Sequence, residues 1–196
     1  VDISTKAINL SKIRLNLHGR EVRDKVTFID LNSEPRLNSK NKNFLSEHID
    51  SNSIDYIQSL GVLMMTPTYN NILEEFYRIL KAEGKCTTMI YNKDSIWYHL
   101  YYGYVLKVLD PGELDEPVIA TGAKSVAIKN KGDENVSTDD LFHYCTDGLD
   151  CPLSLAFNDK EWNIICSKAG FEVKHIGNYY SDYEVEIFKK YYKKSL

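Results

Sequence analysis

Nothing in the 196 residues is long and apolar enough for a membrane helix: no apolar run approaches the roughly 18 residues a span needs, and no secretory leader is visible. A basic excess is also missing. The 24 Lys and Arg against 28 Asp and Glu leave a net charge of −4 and a pI near 5.8. A sequence-blind nucleic-acid binder needs a basic face, so that class is disfavoured. The one basic cluster, Lys189, Lys190, Lys193 and Lys194, reads more simply as a solvated tail. The four cysteines, Cys86, Cys145, Cys151 and Cys166, form no C-x-x-C and no paired spacing. That argues against a zinc site and a secreted disulfide framework, and predicts reduced thiols in a cytoplasmic protein with no metal. Glycines are sparse, and no two lie closer than Gly170 and Gly177, so a G-x-G-x-G loop is absent from the chain. No internal repeat or low-complexity tract is found. What is present is a globular composition, 43% hydrophobic and 27% charged. That length fits one domain with an insertion and a core that needs no staples.

Read along the chain, Val1-Asp2 is the end of a strand and Ser4 a helix N-cap. Ala7, Ser11 and Leu15 make a narrow helical stripe, with Gly19 at the C′ position. Val26 to Asp30 is β-branched and aromatic, hence a strand. Residues 31–52 read as loop and Ile54–Leu60 as a strand. After Thr66-Pro67, the residues Ile72, Leu73, Phe76, Ile79 and Leu80 repeat at helical spacing, with Glu74, Glu75 and Arg78 opposite and Gly84 as the stop. Lys85–Tyr91 is the next strand. Alternating strands and helices predict a parallel sheet covered on both faces. Residues 95–109 are aromatic-rich, and 110–136 form an irregular excursion. Asn158 and Glu161 make an N-x-x-E capping box, opening a helix with the face Trp162, Ile165, Cys166 and Ala169 that closes at Gly170. Phe171–Ile176 reads as a strand. From Asp182 the pattern fits a helix through Val185, Phe188 and Tyr192, or a strand over Glu184–Phe188.

Parallel α/β sheets bind ligands at the carboxyl ends of their strands. Here those ends are Asp2, Asp30, Leu60-Gly61 and Tyr91-Asn92. One strand-end acid can accept both hydroxyl hydrogens of a ribose, in charge-assisted bonds. A second acid on the next strand can accept from an exocyclic amine. The set is shaped for a nucleoside.

These residues sit in segments that resemble the class I S-adenosylmethionine-dependent methyltransferases. Val1-Asp2-Ile3-Ser4 with Ala7-Ile8 is similar to the family's "VDIS…AI" segment. Ser59-Leu60-Gly61-Val62-Leu63 with Thr66-Pro67 resembles its fourth strand, "S-x-G-V-L-H-H-T-P". Glu75 and Arg78-Ile79-Leu80-Lys81, ending at Gly84, look like its "E-x-x-R-V-L-K-P-G-G" helix and turn. Met89-Ile90-Tyr91-Asn92 with Ser95-Ile96-Trp97-Tyr98 is similar to "M-L-Y-N-x-x-S-x-x-Y". Asp147-Gly148, Pro152-Leu153-Ser154 and Ala169-Gly170-Phe171 match later elements. The resemblance covers nearly the whole chain. It implies an α/β, Rossmann-like methyltransferase sheet with a helical or irregular cap insertion. The cofactor-side α/β core spans 1–92, the aromatic-rich cap 93–160, and a C-terminal helix-strand and tail 161–196. It further implies S-adenosylmethionine as cofactor, with Asp2 on the ribose and Ile3 on the adenine. Asp30 lies near the adenine amine, Leu31 has its backbone at the ring, and Leu60 and Gly61 lie beside the methionine part. The acceptor side would hold Met64, Met65, Tyr91, Trp97, Tyr98 and His143.

The family's G-x-G-x-G loop follows its first strand, and Asp2 would end the second. The chain therefore resembles an N-terminally truncated, incomplete methyltransferase, its first strand and glycine loop lying before Val1. On that basis the chain alone is expected to bind S-adenosylmethionine poorly. Met64 and Met65 replace a His-His pair and fill irregular gaps at the active-site end, and Ala82-Glu83 replaces Pro-Gly.

Each residue also has a plainer reading. A strand-end Asp is often a helix cap or loop acid, and the tyrosine-rich run is more often packing than a substrate cage. His143, near Asp147, could supply a general base, but a structural or exposed histidine is commoner. His18 and His175 read as surface residues. The leading function is methyl transfer to a small-molecule acceptor. A non-catalytic or degenerate methyltransferase-like binding module is the alternative, and a nucleotide-sugar or NAD enzyme shares the ribose acid. The fourth-strand and R-I-L-K motifs argue against that third reading.

Overall fold

The computed structural model describes residues 1–2, 4–30, 45–46, 48–99, 137–139, 142, 153–178, 180, 182, 185–186 and 189–190. Within them the protein is mixed α/β with small parallel sheets.

Helix α1, Thr5–Leu15, starts where Ser4 predicts it: the Ser4 hydroxyl accepts from the Ala7 amide at 3.2 Å. Of the expected Ala7–Ser11–Leu15 stripe, Ala7 and Leu15 are half-buried and Ser11 is exposed, and the one buried residue of the helix is Ile8. Gly19 is not a C′ glycine. Asn16 caps α1, and Gly19 is the extended N-cap of a short helix α2, Arg20–Arg23. The expected strand Val26–Asp30 is reduced to one parallel bridge, Asp30 with Asp2, closed by the Asp2 amide donating to the Ile29 carbonyl at 3.1 Å. A ladder needs several successive pairs, and among the described residues this segment finds one.

The best-formed unit is β–α–β. Strand β1, Ile54–Leu60, leads through a 3₁₀ turn, Leu63–Met65, into α3, Tyr69–Ile79, and then β2, Leu80–Met89, which pairs parallel to β1. The helix stops at Ile79, not at Gly84. Its last carbonyls are taken by the incoming chain: Asn52 N–H donates to Arg78 O at 3.0 Å and Ser53 N–H to Ile79 O at 2.9 Å. With those orphans satisfied from outside, Leu80 turns extended. Ile54 then faces Leu80 while Tyr56 faces Lys85, so residues 81–84 bulge. Gly84 sits in that bulge, and a Cβ there would stand 3.1 Å from the Ile54 carbonyl. Glycine is what permits so close a backbone approach.

Ile57 and Ser59 point to the core face of the sheet, and Tyr56, Gln58 and Leu60 to an exposed face. The core joins Leu63, Ile72, Leu73, Ile79, Trp162 and Cys166 with Leu45. Leu45 lies in the stretch expected to be loop, yet it is buried. Its amide donates to Glu75 at 2.9 Å. Glu75, expected on the solvent side of α3, is fully buried. It is gripped by Arg78, with both contacts at 2.7 Å, and Arg78 also reaches Ser51 Oγ and the Ile49 carbonyl. The network pins residues 45–51 onto α3.

A second small sheet pairs β3, Tyr91–Asn92, parallel to β4, Ala156–Phe157. Helix α4, Asp159–Lys168, follows. Its capping box is complete, Asn158 accepting from Glu161 N–H and Glu161 accepting from Asn158 N–H, each at 2.9 Å. At its other end Phe171 N–H reaches Cys166 O and Gly170 N–H reaches Ser167 O, a Schellman closure. Gly170, at φ +102°, is its left-handed residue. Beyond it, residues 171–178 run without regular structure, so the expected strand Phe171–Ile176 does not form. The described residues of the tail, Asp182, Val185, Glu186, Lys189 and Lys190, are helical, which favours the helical of its two readings.

Candidate functional site

Two groups of residues gather at the isolated Asp2–Asp30 bridge and the carboxyl ends of the described strands. In the first, the parallel bridge sets Asp2 beside Asp30. Asp2 is exposed, and its Oδ1 accepts from the Ser4 amide at 2.7 Å, which fixes the carboxylate against the start of α1. Ile29, next to Asp30, packs on the core shared with Ile57 and Leu63, tying the acid pair to the β–α–β unit. Gly61 follows β1. Its N–H donates to the Met89 carbonyl at 3.2 Å and its φ is +72°, a conformation that side chains resist. The Met64 side chain is buried beneath this turn, its Cε 4.0 Å from where a Gly61 Cβ would stand. Met64 thus plugs the strand end, while Met65 is half-buried and Leu60 is exposed.

The second group lines a cleft of about 530 Å³ beside β2. One wall is Cys86–Asn92, the other is residues 171–178, and Phe157 and Trp162 of the α4 region close it. Phe157, Trp162 and Tyr69 form an aromatic cluster with centroids 5.2 to 6.5 Å apart. At the mouth, His175 Nδ1 lies 2.9 Å from Asp159 Oδ2, and Asn92 Nδ2 donates to Asn178 Oδ1 at 3.3 Å. The His175 pKa is raised, first by its bond to Asp159, then by the Gly177 carbonyl and Coulombic attraction to Asp159, with Asn178 adding a little; all favour the imidazolium. Cys86 and Cys166 face the same cleft, and burial pushes both thiols up to about 11. Both therefore stay protonated and unreactive at neutral pH.

Of the residues singled out by the sequence, Tyr91 and Trp97 line the cleft. Tyr98 is buried instead, its hydroxyl on Asp139 and its ring on Phe142, and Asp139 also holds Lys93 at 2.8 Å. Asp2, Asp30, Leu60, Gly61, Met64 and Met65 belong to the strand ends rather than the cleft lining. Ile3, Leu31 and His143 lie outside the described residues, as do Asp147-Gly148 and most of the aromatic cap. The sequence reading missed the Asp159–His175 pair. Its members are sixteen residues apart, joined only by the reversal of the chain at Gly170, and the capping box had already given the α4 N-terminus a structural explanation.

Among the described residues no cluster of three His, Cys, Asp or Glu is placed to hold a metal, and no helix is long and apolar enough to cross a membrane. Compared with protein-family models, curated proteins and solved structures, the chain matches none.

Proposed function

We propose that this chain is part of a Rossmann-like, S-adenosylmethionine-dependent methyltransferase that methylates a small molecule, with residues 1–92 as its cofactor side. The observation that carries the reading is the parallel bridge between Asp2 and Asp30, which sets two acids side by side on neighbouring segments of the chain. That is the acceptor set a nucleoside asks for: one carboxylate for the ribose hydroxyls, one for the exocyclic amine. Gly61 supports it, since a left-handed strand-end glycine presents backbone where a side chain would intrude. In this assignment Asp2 and Ile3 hold the ribose and adenine, Asp30 and Leu31 the amine edge, and Leu60 and Gly61 the methionine part. The residues present fit the nucleoside half of the cofactor. When bound, the cofactor supplies a methyl already activated on sulfur, so the protein's work is to align the acceptor and exclude water. Calorimetry with S-adenosylmethionine tests the reading: Asp2→Ala or Asp30→Ala abolishes whatever heat the parent chain gives, and a heat equal in all three forms contradicts it.

A binding module without catalysis has one observation in its favour. The residue in place of the family's first histidine, Met64, is buried as a plug and presents no titratable group at the Gly61 end. Nucleoside binding with no turnover on any acceptor would select it.

A further inference from the structure

We propose that the outward side of helix α1 is a docking surface for an anionic lipid bilayer, on which Leu10, Ile13 and Leu17 enter the headgroup boundary while Lys6 and Arg14 meet lipid phosphates. This goes beyond the methyl-transfer reading and does not depend on it.

The helix is apolar on two sides. Ile8 is its one buried residue and marks the side turned toward the protein. Leu10, Ile13 and Leu17 recur at i, i+3 and i+7, which places them on one line along the opposite side. Leu17 keeps its place on that line although the helix ends at Leu15. Its N–H donates to the Arg14 carbonyl and the His18 N–H to the Leu15 carbonyl, each at 3.0 Å, so the winding continues for another turn. The three side chains are 49%, 62% and 86% exposed. A helix that only covers a core carries polar residues on that side. Apolar residues scattered singly over a surface are ordinary, whereas three neighbours on one line make a patch.

The charge around the patch is of one sign. No Asp or Glu lies between Asp2 and Glu21, while Lys6, Lys12, Arg14 and Arg20 do, in a chain whose net charge is −4. Lys6 and Arg14 stand one turn before and one turn after Leu10, and both are exposed. Lys12 is drawn to the side, its Nζ 5.7 Å from the centre of the Phe28 ring.

Shape and composition choose the occupant. The patch is the convex ridge of a helix about 16 Å long, and the 530 Å³ cleft takes no residue from it. Its side chains are aliphatic, and α1 has no aromatic residue. A protein partner would need a groove matched to the ridge, and the cores of such interfaces favour aromatic anchors. A bilayer deforms around a ridge, accepts aliphatic side chains to a depth of roughly 5–10 Å, and attracts flanking cations through its anionic lipids. Long Lys and Arg stems cover apolar surface while their charges stay among the headgroups.

The test is flotation of the 196-residue chain with vesicles of phosphatidylcholine alone and of phosphatidylcholine with about a quarter phosphatidylserine. Self-associated chain stays at the bottom of the gradient and is not scored. The chain floats with the anionic vesicles and not with the neutral ones, and high salt releases it. Lys6→Gln with Arg14→Gln weakens binding by about 25-fold, roughly fivefold for each charge. Ile13→Ser with Leu17→Ser leaves the charge intact and weakens it by about tenfold or more. In bicelles carrying a nitroxide-labelled lipid, the amides of Leu10, Ile13 and Leu17 in the unsubstituted chain broaden before those of Ile8 and Gly61, a readout that needs no variant. Equal flotation with neutral and anionic vesicles, flotation unchanged in either pair of substitutions, or broadening centred away from α1 overturns the proposal. A chain that stays at the bottom with both vesicles overturns it too, and loss of self-association in Ile13→Ser with Leu17→Ser would then give the ridge to a second copy instead.

Discussion

At Glu75 a carboxylate is held in the interior by a single guanidinium. Arg78 grips both oxygens, and the Leu45 amide supplies a further donor. The pair raises the Arg78 pKa, chiefly through the hydrogen bond to Glu75. Removing one partner leaves a buried charge with too few donors, so Arg78→Met lowers stability by about 3 to 5 kcal/mol in urea unfolding. Replacing both, Glu75→Leu with Arg78→Met, costs less than the single change. Helical periodicity put Glu75 on the outer face because a count of apolar positions cannot see an acid and a base three apart closing on each other over a passing loop. Gly170 is a second such point. Its φ is +102°, and a Cβ there would lie 2.7 Å from the Tyr77 ring. Gly170→Ala therefore costs more than the roughly 1 kcal/mol of backbone strain alone, read as a lower Tm. His175 has its own pH signature. Its folded pKa is raised, so the tie to Asp159 is fully present below the ordinary histidine value and is lost as pH rises through the raised one. Proteolysis within residues 171–178 should quicken over that window, and no change in rate there would contradict the tie.

The elements most legible in the sequence were those with local signals. Ser4 and the Asn158–Glu161 box mark helix starts by side chains that reach their own backbone, and both do so here. Asn158→Ala should lower stability by about 1 kcal/mol, measurable by thermal unfolding. Strand β1 and the start of α3 were visible for similar reasons. The end of α3 was not, because Asn52 and Ser53 complete its carbonyls from another part of the chain. Nor could a strand-like composition make Val26–Asp30 or Phe171–Ile176 into strands. Strand formation depends on a neighbour with free edge groups at the right distance, and such a neighbour is a property of the fold rather than of the segment. The site divided in the same way. The two acids are readable from short local motifs, whereas the cleft arises from three segments meeting, and of the described acceptor-side residues only Tyr91 and Trp97 line it.

For the molecule as a whole, the described residues leave one face of the β1–β2 sheet uncovered. Tyr56, Leu60 and Met89 are all about half exposed there. The outer edge of β1 has no partner strand among the described residues. Open edges beside apolar surface invite pairing between copies. Sedimentation should show concentration-dependent association of the 196-residue chain, relieved by Tyr56→Lys with Leu60→Lys; a monomer at all concentrations would contradict this.

The claim on which the functional reading stands is that Asp2, Asp30 and Gly61 together receive a nucleoside. The most direct measurement is an amide NMR titration of this chain with S-adenosylmethionine and, separately, with adenosine. The account predicts that both ligands move the amides of Asp2, Asp30, Leu60 and Gly61, even where binding is weak, and that Asp2→Ala removes the adenosine response. Amides at these four positions that stay still at the highest ligand concentration, or that move equally in Asp2→Ala, would contradict it.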